Sequence, residues 1–137
     1  AKQYIENGIP LISVLTEEDF FLGKNEYIKN IKDKYKIPIL CKDFFIDTFQ
    51  VPLAKSFGAD CILIILSAVD KSLAKDLYQA ALELNISALI EVHTKKEADN
   101  AQQAFVARFS QKKIPDNIPF HSLRNPVKQS PVIIAPY

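Results

Sequence analysis

The chain reads as an α/β protein: a partial (βα)8 TIM barrel with about four parallel βα units, followed by a Pro-rich, irregular C-terminal tail. Three observations predict this class. Apolar, β-branched runs at residues 9–14, 37–41, 61–66 and 86–91 alternate with segments whose apolar residues recur at helical spacing. The run centres, near Ile12, Leu40, Leu63 and Leu89, recur about every 25 residues, close to the ~30 residues of one βα unit. The runs also lack polar alternation, as Ile62-Leu-Ile-Ile-Leu66 shows, and strands of a parallel sheet covered on both faces need none.

Taken in order, Ala1-Lys-Gln-Tyr-Ile-Glu-Asn-Gly8 reads as the end of a helix with its glycine stop, so the chain opens within a fold. Strand 9–14 follows. Residues 24–34 mix lysines with Tyr27, Ile28 and Ile31 at helical spacing and lead to strand 37–41. A helix over about 47–57, stopped by Gly58, leads to strand 61–66. The helix at 70–84 shows its logic most plainly: Leu73, Leu77, Ala80, Ala81 and Leu84 share one face, while Lys71, Lys75, Asp76 and Glu83 fall elsewhere. A strand at 86–91 and a helix from about 94 complete the four units.

Beyond about residue 104 the sequence changes character, which divides the chain into a partial barrel segment (1–104) and a basic tail (105–137). Pro115, Pro119, Pro126, Pro131 and Pro136 preclude a continuous helix there. Arg108, Lys112, Lys113, Arg124 and Lys128 stand against one acid, Asp116. An extended arm over the surface and a basic binding patch are the two readings of that stretch.

Composition narrows the function classes. With 17 basic and 16 acidic residues the formal net charge is +1, so no overall field would draw in nucleic acid or an anionic membrane. The longest uniformly apolar stretch, Cys61 to Leu66, falls far below the ~18 residues of a membrane span, and no basic-then-apolar leader opens the chain. A cytoplasmic protein is expected, with Cys41 and Cys61 as buried, reduced thiols inside strands. At 137 residues the chain can bury a core, yet a complete barrel typically needs about 250.

The ionisable residues at strand ends carry the candidate chemistry, because the carboxyl ends of barrel strands form the reacting face. Lys42 follows four apolar residues and precedes Asp43 and Phe44. An ammonium emerging there suits proton donation or carboxylate binding; the competing reading is a lysine that snorkels to water and pairs with Asp43. Glu91 closes Ala88-Leu-Ile-Glu in the same manner two strands later, with His93 returning to its side. It could face a lysine across the barrel mouth as a base, or form a structural ion pair.

Other constellations are weaker. His93 reads as a bystander, since no second histidine stands at metal-ligand spacing and His121 lies in the tail. Ser13 and Thr16 can donate hydrogen bonds, but no Gly-x-Ser-x-Gly elbow or triad pattern marks either as a nucleophile. Gly8, Gly23 and Gly58 stand singly, so no dinucleotide fingerprint or phosphate-cradling loop is present. Phe20, Phe21, Phe44, Phe45 and Phe49 gather around the strand-end loops; some belong to the core, and one or two facing the mouth would wall a site for an aromatic substrate.

Four ordered blocks, Ile12-Ser-Val-Leu-Thr-Glu-Glu-Asp-Phe-Phe21, Ile37-Pro-Ile-Leu-Cys-Lys-Asp-Phe44, Gly58-Ala-Asp-Cys-Ile-Leu-Ile-Ile65 and Leu89-Ile-Glu-Val-His93, resemble the indole-3-glycerol-phosphate synthase family from Ala1 to about Ala101. They look like the second to fifth strands of that family's barrel. The resemblance implies a lyase of tryptophan biosynthesis that closes an anthranilate-derived ribulose phosphate into an indole with loss of carbon dioxide and water. It implies a small phosphorylated substrate and no cofactor or metal. Lys42 matches the family's third-strand general acid, and Glu91 its fifth-strand general base. Ser13, Phe21 and Phe44 match positions lining the substrate site.

The family's first-strand Glu-x-Lys, its sixth-strand asparagine, its seventh-strand Glu-Ser pair and its phosphate-holding loops have no counterpart among these blocks. Ser130-Pro-Val-Ile-Ile-Ala135 looks like the run leading into the family's first strand but stands in the wrong order, which leaves a rearranged first strand and an unrelated ending as alternatives. From another function class comes a non-catalytic half-barrel that self-associates through open sheet edges.

Overall fold

The computed structural model describes residues 2–8, 10–101, 105 and 132–136. A short helix α1 (Lys2–Glu6) precedes four strand and helix pairs: β1 (Ile12–Leu15) and α2 (Glu26–Lys32), β2 (Ile39–Lys42) and α3 (Gln50–Ser56), β3 (Cys61–Ile65) and α4 (Lys71–Glu83), β4 (Ser87–Val92) and α5 (Lys95–Ala101). A last strand, β5 (Val132–Pro136), ends the described chain. The sheet runs β1-β2-β3-β4-β5 with every pair parallel, so each strand lies beside its predecessor as in a barrel wall.

Local chemistry sets the punctuation. Gly8 adopts φ +74° and Gly58 φ +97°, the left-handed turns that end α1 and α3 as the glycine signals predict. Helix α4 starts where Asp70 accepts the Leu73 N–H at 2.9 Å and ends before Asn85 at φ +56°, a conformation asparagine tolerates better than most residues.

Strand alternation sorts the apolar residues onto two faces. Ile39, Cys41, Ile62, Ile64, Ala88, Ile90 and Val92 meet Ile28, Val51, Leu77 and Ala81 of the helices in the main core. Burying a side chain such as Ile62 or Leu77 contributes roughly 1.5–3 kcal/mol. The opposite face, carrying Leu40, Cys61 and Leu63 with Ile65 and Leu89, forms a second and smaller cluster. That face corresponds to the interior of a barrel.

Asp60 fastens the strands at the end away from the site. Its Oδ2 accepts the Ile39 N–H at 2.8 Å and the Lys32 ammonium at 2.5 Å, while its own carbonyl accepts the Ser87 N–H at 2.9 Å. Three strand starts are thereby tied to one residue.

Val132–Pro136 is a strand, paired with β4 in register Ala88↔Val132 to Val92↔Pro136. Its β-branched residues favour extension, and Pro136 at the strand's end removes no internal ladder donor. It joins the β4 edge, so it does not occupy the first-strand place beside β1. Phe105 is buried, its ring edge-on to Tyr78 with centroids 5.2 Å apart. The basic residues Arg108, Lys112, Lys113, Arg124 and Lys128 lie outside the described residues.

Candidate active site

At the carboxyl ends of β1 to β4 a cavity of about 260 Å³ opens on the inner face of the sheet. Its floor is apolar: Leu15 comes from β1, and Leu63 and Ile65 from β3. Lys42 is the last residue of β2 and lies opposite Leu15 in the ladder, while Glu91 lies opposite Ile65. Strand alternation sends both side chains inward, because Cys41, Ile90 and Val92 between them are buried in the helix-side core. The sequence-named acid and base candidates therefore share one cavity, each on its own strand.

Phe21 and Phe44 form one wall, with ring centroids 6.3 Å apart and planes tilted by 40°. Phe21 is 53% and Phe44 40% exposed, so both rings present free surface. Phe45 belongs to the main core, whereas Phe20 and Phe49 point to solvent. Ser13 is exposed on β1, two residues before Leu15, and is not among the lining residues.

The loop after β1 is built around Glu17. Its carboxylate accepts the backbone N–H groups of Asp19 (3.0 Å), Phe20 (2.8 Å) and Phe21 (3.1 Å). Desolvation pushes the Glu17 carboxyl up, but these three donors outweigh it and hold the group below its ordinary value. Gly23 closes the loop by donating to the Glu17 carbonyl at 2.7 Å, and a Cβ there would stand 2.5 Å from the Leu15 carbonyl oxygen. Close backbone approach, then, requires glycine at this position.

Two polar contacts set the ionisable groups. Glu91 Oε1 lies 3.0 Å from His93 Nε2, so the carboxylate pairs with its strand neighbour. Asp43 accepts the Thr16 hydroxyl at 2.7 Å and the Phe44 N–H at 2.8 Å, and no ion pair joins it to Lys42 among the described residues. The reading of Lys42 as an Asp43 partner is thus not the arrangement seen. Lys42 reaches the cavity with its side chain exposed, available to an incoming anion.

A family model described as indole-3-glycerol phosphate synthase matches residues 1–109. The chain belongs to that family. Among its curated relatives, the indole-3-glycerol phosphate synthase of Chlorobium chlorochromatii is 44% identical over 103 residues, covering 75% of this chain and 40% of the relative. That of Lachnoclostridium phytofermentans is 43% identical over 103 residues (75% and 38%), and that of Staphylococcus saprophyticus 41% over 100 residues (73% and 38%). The chain therefore spans about two fifths of the length of these relatives. Within this family segment, Glu17, Asp43, His93 and the apolar floor line the cavity although sequence reasoning gave them no site role. The signal for the floor was present in the alternation of β3, since Leu63 and Ile65 must share a face.

Proposed function

We propose that the chain carries part of an indole-3-glycerol phosphate synthase active site, acting on an anthranilate-bearing ribulose phosphate. The observation that carries this reading is the convergence of Lys42 and Glu91 on one apolar-floored cavity walled by two phenylalanine rings. The anthranilate ring packs against Phe21 and Phe44, and Ser13 donates to the substrate from lower on β1. Lys42 delivers its proton to the ketone oxygen as the new carbon–carbon bond forms, and the carboxyl group departs as carbon dioxide. Glu91 takes a proton in the later step, in which water is lost and the indole becomes aromatic. The apolar floor disfavours the substrate carboxylate relative to neutral carbon dioxide, which supports decarboxylation there. Phosphate-holding groups come from the part of the family's length that this chain does not span.

The cytoplasm is the compartment this reading implies, and free, buried Cys41 and Cys61 support a reducing environment. Turnover, followed by the fluorescence of the indole product, tests the assignment. Lys42→Ala is expected to lower kcat by about 10²–10⁴-fold, the range of a lost general acid. Unchanged turnover in that variant would sink the role given to Lys42.

A second reading is a half-barrel that associates through its sheet edges. It rests on β1 and β5, each paired with a single strand among the described residues. Sedimentation decides it, since a monomer across the micromolar range excludes edge pairing.

A further inference from the structure

Thr16 is 1% exposed and is the one buried polar residue among the described residues. It stands one position past β1 and binds three successive residues at the end of β2. Its N–H donates to the Lys42 carbonyl at 3.1 Å, its hydroxyl donates to Asp43 Oδ2 at 2.7 Å, and its Oγ1 lies 3.2 Å from Cys41 Sγ. A hydroxyl has one proton, and a carboxylate can only accept. The Thr16 proton therefore goes to Asp43, and the Cys41 thiol must be the donor to Thr16.

Burial keeps that thiol protonated: it pushes Cys41 up to about 11, and the nearby Asp43 charge acts in the same direction. The remaining Asp43 oxygen accepts the Phe44 N–H at 2.8 Å. The result is a continuous run from the Cys41 thiol through the Thr16 hydroxyl to the Asp43 carboxylate, which also holds Phe44. Each link polarises the next in a low-dielectric setting.

The residues before and after Lys42, and the Lys42 carbonyl itself, are thus gripped by one side chain and its backbone. Such a grip leaves the Lys42 Cα–Cβ direction little freedom. We infer that Thr16 is the positioning residue for Lys42, fixing the direction from which its ammonium enters the cavity and, through Asp43, the place of Phe44 in the wall. The importance of the clamp rests on the role proposed for Lys42, whereas its existence does not.

Amide hydrogen exchange on the substrate-free chain separates the two. Thr16→Val keeps the β-branched shape and removes the hydroxyl, while Thr16→Ser keeps the hydroxyl. In Thr16→Val the Phe44 amide is expected to exchange about tenfold faster or more, with Ile62 and Ile64 of β3 unchanged, and Thr16→Ser is expected to return Phe44 to within about threefold of the parent. If Thr16→Val does not fold, Asp43→Asn, which replaces the carboxylate by a poorer acceptor, is expected to accelerate Phe44 in the same local way. The inference is overturned if Phe44 exchange is unchanged in the variant that folds, if it rises in step with Ile62 and Ile64, or if serine fails to restore it. A chain that turned over no substrate would leave this result standing, and the Lys42→Ala kinetics decide the reaction separately.

Discussion

His93 Nε2 stands 3.0 Å from Glu91 Oε1, two residues along the same strand end, so the Glu91 carboxylate is paired with an imidazole and not with the lysine on β2. The His93 backbone is itself held by the start of α5. The His93 N–H donates to Glu97 Oε2 at 2.7 Å, and the Glu97 N–H donates to Thr94 Oγ1 at 3.1 Å, a variant of the capping box at the start of α5. The first turn of α5 thereby holds the backbone from which the His93 side chain extends.

His93→Ala frees Glu91 to rotate without removing it. Turnover kinetics are expected to show kcat lowered roughly 3- to 30-fold with KM changed less than about threefold, the pattern of a lost orienting contact. Thermal stability is expected to change by less than about 1 kcal/mol, because the His93 side chain is 37% exposed. Equal losses in kcat and stability would point to a structural role instead.

The Glu17 loop carries Phe21, and its order depends on an ionised carboxylate. A carboxyl held below its ordinary 4.5 contributes order that is present above that pH and is lost as the pH falls through the lower folded value. Amide exchange at Phe20 and Phe21, corrected for intrinsic rates, is expected to rise on acidification and to be fast at all pH values in Glu17→Gln. Gly23→Ala is expected to produce the same loosening at neutral pH, since its Cβ would stand 2.5 Å from the Leu15 carbonyl oxygen.

Asp60 offers the contrasting case, a clamp remote from the cavity. Asp60→Ala removes the acceptor for both Ile39 N–H and Lys32 Nζ. Denaturant unfolding is expected to show a loss of about 1–3 kcal/mol, while substrate-induced shifts at the cavity stay as in the parent. Altered cavity shifts would mean that the two ends of the sheet are coupled.

Alkaline pH tests the buried thiols. Burial pushes Cys41 up to about 11 and Cys61 to about 12 from an ordinary 9.0, so both ionise more readily in the unfolded chain. Raised folded values mean that this stabilisation is complete below about pH 9 and is lost as the pH climbs through the folded values. Unfolding free energy is expected to fall by on the order of 4 kcal/mol between pH 9 and 11, about half from each thiol, with a correspondingly shallower slope in Cys61→Ala. An identical slope in that variant would contradict the assignment.

The fold was largely legible because the strands are predominantly apolar and α4 carries a clear helical period. The strand expected at 61–66 is β3 (Cys61–Ile65), and the helix expected at 70–84 is α4 (Lys71–Glu83). Lys42 and Glu91 were legible as ionisable residues closing apolar runs. Thr16 was not, since nothing local distinguishes a hydroxyl that reaches a neighbouring strand from one that meets water. The pairing of Glu91 with His93 was equally hidden: alternation put them on one side but not in contact. The run at 130–135 was legible as strand-like, but its partner β4 was not, because pairing is set by the fold and not by the run itself.

In the proposed reaction Lys42 and Glu91 face one substrate cavity. Titrating the isotopically labelled chain with the anthranilate-bearing ribulose phosphate, and mapping the resonances that move, tests it most directly. The expected result is saturable shifts centred on Lys42, Phe44, Phe21 and Glu91, weakened at least about tenfold in affinity by Lys42→Ala, the loss of one charge-assisted contact. Shifts confined to other surfaces, or the same affinity in Lys42→Ala, would contradict it.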